Sequence, residues 1–393
     1  MKVIQVCFDQ VSDHIGGMYT AIRSFEEALR DAHVSTSVIA FVAGERNNAF
    51  GIKGINDTLM IPPAKNFLGR HYSWNTRSVL SVAEEVLKKA DIIIIHVLYR
   101  YHAQWAANCA NRHNIPTIIV PHGCLARKGM SYSGRKKKFW LRFFGPSTIG
   151  RSKAILFASN RERQEAVLYF FGAPAVVIPW CTQLIPNSNS NKRALFENIK
   201  SRYGILENEK VMLYVGRLHP IKRIRQTLSA FARTSPENWH MLVVGPDSDV
   251  CGREMLENFL SGNAKPRIHF IGPIVGDEKY DYYRASDVYV LLSEFENFSF
   301  TAADALGSGL PVLLSEEVAL SEDVKGVGCG WVINARHDKS IDDGMCTVFT
   351  TDPEDIRRRG ASGFEWACQN LSFDVFRERI LSLVRSCINE KLP

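Results

Sequence analysis

Short apolar runs alternate with segments whose apolar residues recur every three or four positions, almost from one end of the chain to the other. Runs with strand character cover residues 3–8, 37–42, 91–96, 117–120 and 154–158. Helical spacing marks residues 17–32, 76–89, 102–112 and 160–170 between them. A strand buried on both faces is apolar throughout, and the helices that cover it are amphipathic, so the alternation predicts a parallel sheet with helices on both sides. Periodicity fails at Pro186-Asn-Ser-Asn-Ser-Asn191, a polar, turn-rich stretch that reads as part of a linker. A second series follows, with strands expected at 211–215, 240–244, 267–271, 288–292 and 311–314, and helices at 224–234, 252–260, 277–285 and 300–307. The expected fold class is therefore α/β, with two doubly wound Rossmann-like domains of similar size facing across a cleft. We place them at residues 1–188 and 189–371, followed by a helical tail at 372–393 in which Phe376, Ile380, Leu383 and Val384 share one face. Ligands of such sheets are expected at the carboxyl ends of the strands.

Length and composition agree with this reading. The 393 residues exceed what a single core holds, and 46% hydrophobic with 23% charged residues is ordinary for a globular chain. No stretch approaches the ~18 consecutive apolar residues needed to cross a bilayer. The first residues read as a core strand running into Asp9, Gln10 and Asp13 rather than as a leader, so a cytoplasmic protein is expected. Nine cysteines, none in a CxxC, read as reduced and buried thiols, and no zinc site is expected. The net charge of +7 is uneven. Residues 127–153 carry nine basic side chains (Arg127, Lys128, Arg135, Lys136, Lys137, Lys138, Arg142, Arg151 and Lys153) and no acid, which makes a local anion-attracting field.

Candidate chemistry in the second half sits at strand ends. In Tyr214-Val-Gly-Arg-Leu-His-Pro-Ile-Lys222, Gly216 permits close backbone approach, and Arg217 and Lys222 suit a diphosphate whose charge grows as it leaves. Val243-Val-Gly-Pro-Asp247 and Phe270-Ile-Gly-Pro273 put Gly245 and Gly272 in tight turns that can offer backbone groups to a nucleotide base. Glu296-Asn-Phe-Ser-Phe-Thr-Ala-Ala-Asp304 then brings a carboxylate to a helix start and a second one two turns inside. The intervening amides, around Asn297, Phe298, Ser299 and Phe300, are suited to an anion. Asp247-Ser-Asp249 is read as solvated acids rather than a metal site.

These residues resemble the retaining GT-B glycosyltransferases of family 4, the glycogen synthase-like group. Their signature is E-G-F-G-L-x-x-x-E-A-x-x-x-G-x-P, which stands here from Glu296 through Asp304 to Gly309 and Pro311, with Gly216, Arg217, Leu218 and Lys222 matching Gly-Arg-Leu and its lysine. The resemblance implies that Arg217 and Lys222 hold the donor diphosphate, that Glu296 contacts the donor sugar and that Asp304 contacts the ribose. It implies a double-glycine loop at Gly16 and Gly17 against the diphosphate, and a His-Gly at Pro121-His-Gly123 that sets His122 beside the transferred sugar. It also implies an acceptor-binding first domain, a nucleotide-sugar-binding second domain and a C-terminal helix crossing back to the first. Departures are Asp304 for the second Glu, Asn297 and Ser299 for glycines, and Arg223 for the glycine after the lysine.

The activity implied is a hexosyl transfer with retention from a UDP- or GDP-sugar to a glycan or lipid-linked acceptor, in cell-surface polysaccharide biosynthesis. Neither a cofactor nor a metal is expected, because the nucleotide sugar is a substrate. Nucleic acid is not an expected partner, since the basic residues occupy one segment without a recognition motif. A nucleotide-sugar epimerase, a phosphorylase of the same fold and a non-catalytic relative are the alternatives. His96, after another strand, is a candidate for acceptor positioning. Arg135, Lys136, Lys137, Lys138 and Trp140 have two readings: a peripheral contact with an anionic membrane or lipid pyrophosphate, or a solvated helix whose aromatics enter the core.

Overall fold

The computed structural model describes residues 1–8, 16–41, 57–61, 76–185, 199–248, 250–260, 267–274 and 276–389. The chain divides into two compact units, Met1–Trp180 with Phe373–Pro393, and Cys181–Ser372.

Unit 1 contains a seven-stranded parallel sheet in the order β3-β2-β1-β4-β5-β6-β7. Its strands are β1 (Lys2–Phe8), β2 (Ser35–Phe41), β3 (Thr58–Ile61), β4 (Ile92–His96), β5 (Thr117–Val120), β6 (Ala154–Phe157) and β7 (Ala175–Val177). The helices are α1 (Gly17–Asp31), α2 (Arg77–Leu87), α3 (Tyr101–His113), α4 (Arg127–Ser131), α5 (Gly134–Thr148) and α6 (Asn160–Ala166). Every residue of β4 is buried, which is why four consecutive isoleucines stand there. In α1 the buried residues Ala21, Ile22, Phe25, Ala28 and Leu29 form the single stripe that a helix needs to cover a sheet.

Unit 2 has a six-stranded parallel sheet in the order β10-β9-β8-β11-β12-β13. Its strands are β8 (Lys210–Val215), β9 (Trp239–Val244), β10 (Ile268–Gly272), β11 (Val288–Leu291), β12 (Val312–Ser315) and β13 (Gly330–Ile333). The helices are α7 (Ile224–Thr234), α8 (Arg253–Phe259), α9 (Lys279–Arg284), α10 (Phe300–Gly307), α11 (Ser321–Val327), α12 (Asp338–Thr350) and α13 (Pro353–Asn370). The last helix, α14 (Phe373–Ile388), belongs to unit 1. Its Phe376 meets Phe25 of α1 edge-on at 5.7 Å, and Arg377 pairs with Asp31.

Three strands escape the sequence pattern: β3, β7 and β13. All lie at sheet edges, with most or all of their residues only half-buried, so their apolar signal is weak. The unit boundary falls at Trp180/Cys181 rather than 188/189. Trp180 packs on Phe25 and Phe376, whereas Thr182 donates its amide to Leu371 at 2.9 Å. The linker stretch 186–191 lies outside the described residues, as do 9–15 of the first glycine loop and Asp249. No described helix is long and apolar enough to cross a membrane. The described cysteines form no disulfide with one another, but Cys346 is exposed, and Cys124, Cys181 and Cys368 are only half-buried. Helix amphipathicity is the reason: Cys346 follows the buried Met345 round α12 onto the solvent side.

Candidate functional site

In each sheet the strand order reverses once, between β1 and β4 in unit 1 and between β8 and β11 in unit 2. Loops leaving adjacent strands there diverge to opposite faces and open a crevice at the carboxyl ends. In unit 2 the loops after β8 and β11 carry Arg217, Lys222 and Glu296; in unit 1 Gly16 follows β1 and His96 ends β4, while His122 follows the next strand, β5.

In unit 2, Gly216 to Lys222 leave β8 and Ser293 to Ser299 leave β11. The two loops are tied by the amide of Glu294, which donates to the carbonyl of Ile221 at 2.7 Å. Lys222 forms an ion pair with Glu296, the two side chains being 19% and 14% exposed. Ser293 Oγ donates to the same Glu296 oxygen at 3.1 Å. The backbone of Glu296 is pinned in turn, its amide donating to Glu317 at 3.2 Å and its carbonyl accepting from Ala319 at 3.1 Å. Arg217 is exposed, and its guanidinium has no ion pair among the described residues. Its carbonyl accepts the Tyr214 hydroxyl at 2.9 Å. Burial, then Glu296, raises the pKa of that phenol, and Arg217 opposes the shift, so both charges act on one buried group.

Gly216, Gly245 and Gly272 follow or close the three neighbouring strands β8, β9 and β10. Gly216 donates to Val244 and Gly245 to Gly272, each at 2.9 Å. A Cβ on Gly245 would sit 1.9 Å from the carbonyl oxygen of Gly216, so only glycine allows this approach. Beside them a cavity of about 330 Å³ is lined by Leu218, Gly245, Pro246, Asp247, Phe270 and Gly272. Asp247 is exposed, as expected from sequence, and its carboxylate accepts the Arg253 amide at 3.0 Å.

Helix α10 starts where the acidic signature places it. Ser299 takes a left-handed conformation, φ 77° and ψ 84°, and its Oγ accepts the Ala302 amide at 3.3 Å. Phe298 is 3% exposed, so its ring is not open to a ligand. Asp304 is 4% exposed. Its carboxylate accepts Thr182 Oγ1 at 2.5 Å, pairs with Lys279 at 2.7 Å and receives the Tyr280 hydroxyl at 3.4 Å. Each acid of the signature thus carries a lysine, Lys222 on Glu296 and Lys279 on Asp304. Lys279 gave no signal in the sequence, because a lysine at a helix start reads as solvated.

In unit 1, Gly16 caps the start of α1 at φ 121°, and Gly17 is its first residue. His122 follows β5 with φ 52°. The turn is held by Glu162, which is 3% exposed and accepts the amides of Gly123 at 2.6 Å and Ala158 at 3.0 Å. His122 Nε2 lies 2.9 Å from His96 Nδ1, and His96 Nε2 lies 3.0 Å from Gln5 Oε1. The His122 ring stacks on His96 at 5.2 Å and on Trp180 at 5.6 Å. Burial lowers the pKa of His122 to about 4 and puts that of His96 well below the usual imidazole value. His96 is 0% exposed, which corrects its expected role: it cannot touch an acceptor, and it supports His122 instead. Gln5 and Glu162 were missed, although a lone Gln in an otherwise apolar strand is a legible signal, since a buried amide must find partners.

The basic segment divides between the surface and the interior of unit 1. Arg135, Lys136 and Lys138 are exposed on α5. Phe139 and Phe143 are each 62% exposed, with ring centroids 4.5 Å apart. Lys137 and Trp140 turn inward, a correction to their grouping with the surface residues. Lys137 donates to the Gly129 carbonyl at 2.5 Å and lies 5.2 Å over the Tyr99 ring, and burial lowers its pKa. Trp140 meets Tyr99 edge-on at 5.2 Å.

Two parallel, doubly wound units with glycine turns and charged loops at their switch points define an α/β protein of the GT-B architecture. Residues 196–362 match the family model for glycosyl transferases group 1, and residues 15–182 that for glycosyltransferase family 4. The chain belongs to the group 1 glycosyltransferases and is a glycosyltransferase. An uncharacterized glycosyltransferase of Methanocaldococcus jannaschii is 28% identical over 369 residues, 89% of each chain. A D-inositol 3-phosphate glycosyltransferase of Rhodococcus jostii is 25% identical over 257 residues, 62% of this chain, and the match spans only 55% of that relative's length. Among solved structures, sucrose-phosphate synthase from Thermosynechococcus elongatus superposes with a TM-score of 0.77 over 100% of both chains at 17% identity. Anabaena HepE, in complex with UDP and glucose, gives 0.75 over 98% of this chain and 99% of its own at 15% identity.

Proposed function

We propose that this glycosyltransferase moves a sugar, with retention and without a metal, from a UDP- or GDP-sugar to a glycan or lipid-linked acceptor in cell-surface polysaccharide biosynthesis. The observation that carries the reading is the group at the β8–β11 switch point: exposed Arg217, the Lys222–Glu296 pair and the amides at the start of α10. Positive charge there stabilises a departing diphosphate in the way a metal does elsewhere. Glu296, already held by Lys222 and Ser293, is placed to accept a sugar hydroxyl. The cavity beside Gly245 and Gly272 takes the base, and the Lys279–Asp304 pair takes the ribose. HepE, which binds UDP and glucose, supports the choice of donor class. Transfer then breaks the bond from the anomeric carbon to the phosphate oxygen and forms the bond to the acceptor oxygen on the same face. The acceptor's proton passes to the leaving phosphate. His122 is assigned to the sugar hydroxyls. Through Phe139, Phe143 and the exposed cations of α5, unit 1 rests on an anionic lipid surface.

Melting curves of the full chain with UDP-glucose, UDP-galactose, UDP-N-acetylglucosamine and GDP-mannose test the donor reading. A donor at 100 times its Kd adds about 2.7 kcal/mol, a rise of roughly 5 °C or more for a unit of this size. Arg217→Ala and Lys222→Ala lower kcat by about 10²–10³-fold, and excess EDTA leaves turnover intact. No shift with any nucleotide sugar, or undiminished turnover in both variants, sinks the proposal.

A further inference from the structure

Gln5 is 0% exposed in the middle of β1, a position where an apolar side chain costs nothing and a lone amide requires partners. It has two. Its Nε2 lies 3.5 Å from the Ile22 carbonyl, which only a donor can approach, and this fixes the orientation of the amide. The oxygen therefore faces His96, at 3.0 Å from Nε2. Parallel pairing sets Gln5 beside Ile94, and residues two apart on a strand share a face, so His96 lies on the same face of the sheet as Gln5.

Proton bookkeeping along this chain has one solution for neutral rings. Gln5 Oε1 is an acceptor, so His96 Nε2 carries the hydrogen. His96 Nδ1 is then a lone pair, and the His122 Nε2 that lies 2.9 Å away must donate to it. His122 Nδ1 is left as a lone pair, and no partner for it is found among the described residues. We infer that Gln5 and His96 are positioning residues that lock His122 as its neutral Nε2–H tautomer, presenting Nδ1 as a hydrogen-bond acceptor for a hydroxyl of the donor sugar or the acceptor.

The surroundings hold this state. Trp180 stacks on His122 at 5.6 Å, and His96 meets the edge of His122 with the two rings 26° from coplanar. Titratable groups around the relay include His102, whose Nε2 lies 2.8 Å from the His96 carbonyl, Glu162, which grips the Gly123 amide next to His122, and Cys124, two residues beyond His122. Burial keeps His102 neutral, with a pKa of about 4, and raises the Cys124 thiol to about 12. Glu162 spends its charge on the two backbone amides. An imidazole with a pKa of about 4 is a poor general base at neutral pH. Its use is orientation: it receives a hydroxyl's hydrogen bond, and the proton itself goes to the leaving phosphate.

The inference rests on the proposed role of His122 in transfer, but the tautomer is measured without turnover. In the full chain labelled with ¹⁵N at histidine, long-range proton–nitrogen correlation at pH 7 identifies which ring nitrogen carries hydrogen, with His122→Gln and His96→Gln supplying the assignments. The wild type shows hydrogen on His122 Nε2 alone. Q5E is nearly isosteric and gives a carboxylate that holds a second proton on His96; His96 Nδ1 then donates, and His122 flips to the Nδ1–H tautomer. Q5L leaves His122 in a mixture of both. With the nucleotide sugar that most raises the melting temperature, Q5E lowers kcat about tenfold or more with little change in donor KM, the loss expected from one misdirected hydrogen bond of ~1.4 kcal/mol. If donor hydrolysis falls in parallel, the hydroxyl belongs to the donor; if only transfer falls, it belongs to the acceptor. Hydrogen on Nδ1 in the wild type, or a His122 tautomer indifferent to both Gln5 substitutions, overturns the relay. A flipped tautomer with undiminished kcat overturns the role of Nδ1 and leaves the family assignment untouched.

Discussion

At the scale of single residues, the site is built from charges that neutralise one another before any ligand arrives. Lys222 and Glu296 come from two loops, and Lys279 and Asp304 from two helices. Asp304 is almost sealed, while the Lys279 side chain is one-third exposed. Removing the lysine alone strands a buried carboxylate, which costs more than an exposed pair is worth and less than a fully buried one. Lys279→Met is therefore expected to lose about 2 kcal/mol in urea unfolding, and Asp304→Asn in the same chain to recover most of it. Additive losses in that double-variant cycle would show that the two side chains do not interact. Two further residues, Arg223 at φ 50° and Ser299 at φ 77°, stand in left-handed conformations at the places where the signature the sequence resembles has glycine. Such a conformation costs on the order of 1–2 kcal/mol for a residue with a Cβ. Each side chain offsets it locally, Arg223 through the Leu292 carbonyl at 3.3 Å and Ser299 through the cap on α10. The departures from the family pattern thus preserve the backbone that glycine makes cheap.

Elements were legible in proportion to their burial. Central strands such as β4 and β5 carry unbroken apolar runs, and α7 and α10 were read to the residue, because periodicity reports a buried face. Edge strands β3, β7 and β13 bury too little to leave the same trace. Helix α5 is the instructive case. Its basic run is one word in the sequence, but a helix turns 100° per residue and splits it. Lys137 and Trp140 pack on Tyr99, and Lys136, Phe139 and Phe143 share the outer side at spacings of three and four. Two exposed phenylalanines with flanking cations suit an anionic interface. Flotation with vesicles of phosphatidylcholine and phosphatidylglycerol is expected to carry the protein upward, more weakly as salt rises. In the Phe139→Ser, Phe143→Ser double variant, binding should fall at least tenfold, since each buried ring contributes ~1.5–3 kcal/mol. Equal flotation on neutral vesicles, or none on either, removes the membrane contact.

For the whole molecule, chain order and spatial order part at the C-terminus. Helix α14 follows unit 2 in sequence and completes the core of unit 1, where Phe376 (1% exposed) closes a cluster with Phe25 and Trp180. Trp180 also stacks on His122, so this helix supports the site's floor from behind. Truncating the ring should cost about 3–5 kcal/mol, and in Phe376→Ala faster amide exchange is expected in α1 and β4, with β8 and β11 unchanged. Acceleration confined to unit 2 would show that α14 stabilises the other half of the chain.

The sequence by itself determined the family, the two parallel sheets and the loops that bear the acids and cations. Those features are local: an apolar run, a helix start and a glycine turn each need only a few neighbouring residues to be recognised. What tertiary structure alone decided are pairings between distant positions: Lys279 with Asp304, Gln5 through His96 to His122, Glu162 beneath the His-Gly turn, and the inward rotation of Lys137 and Trp140. A buried polar group declares in sequence that it must have a partner, but only the packing of sheets and helices chooses which one.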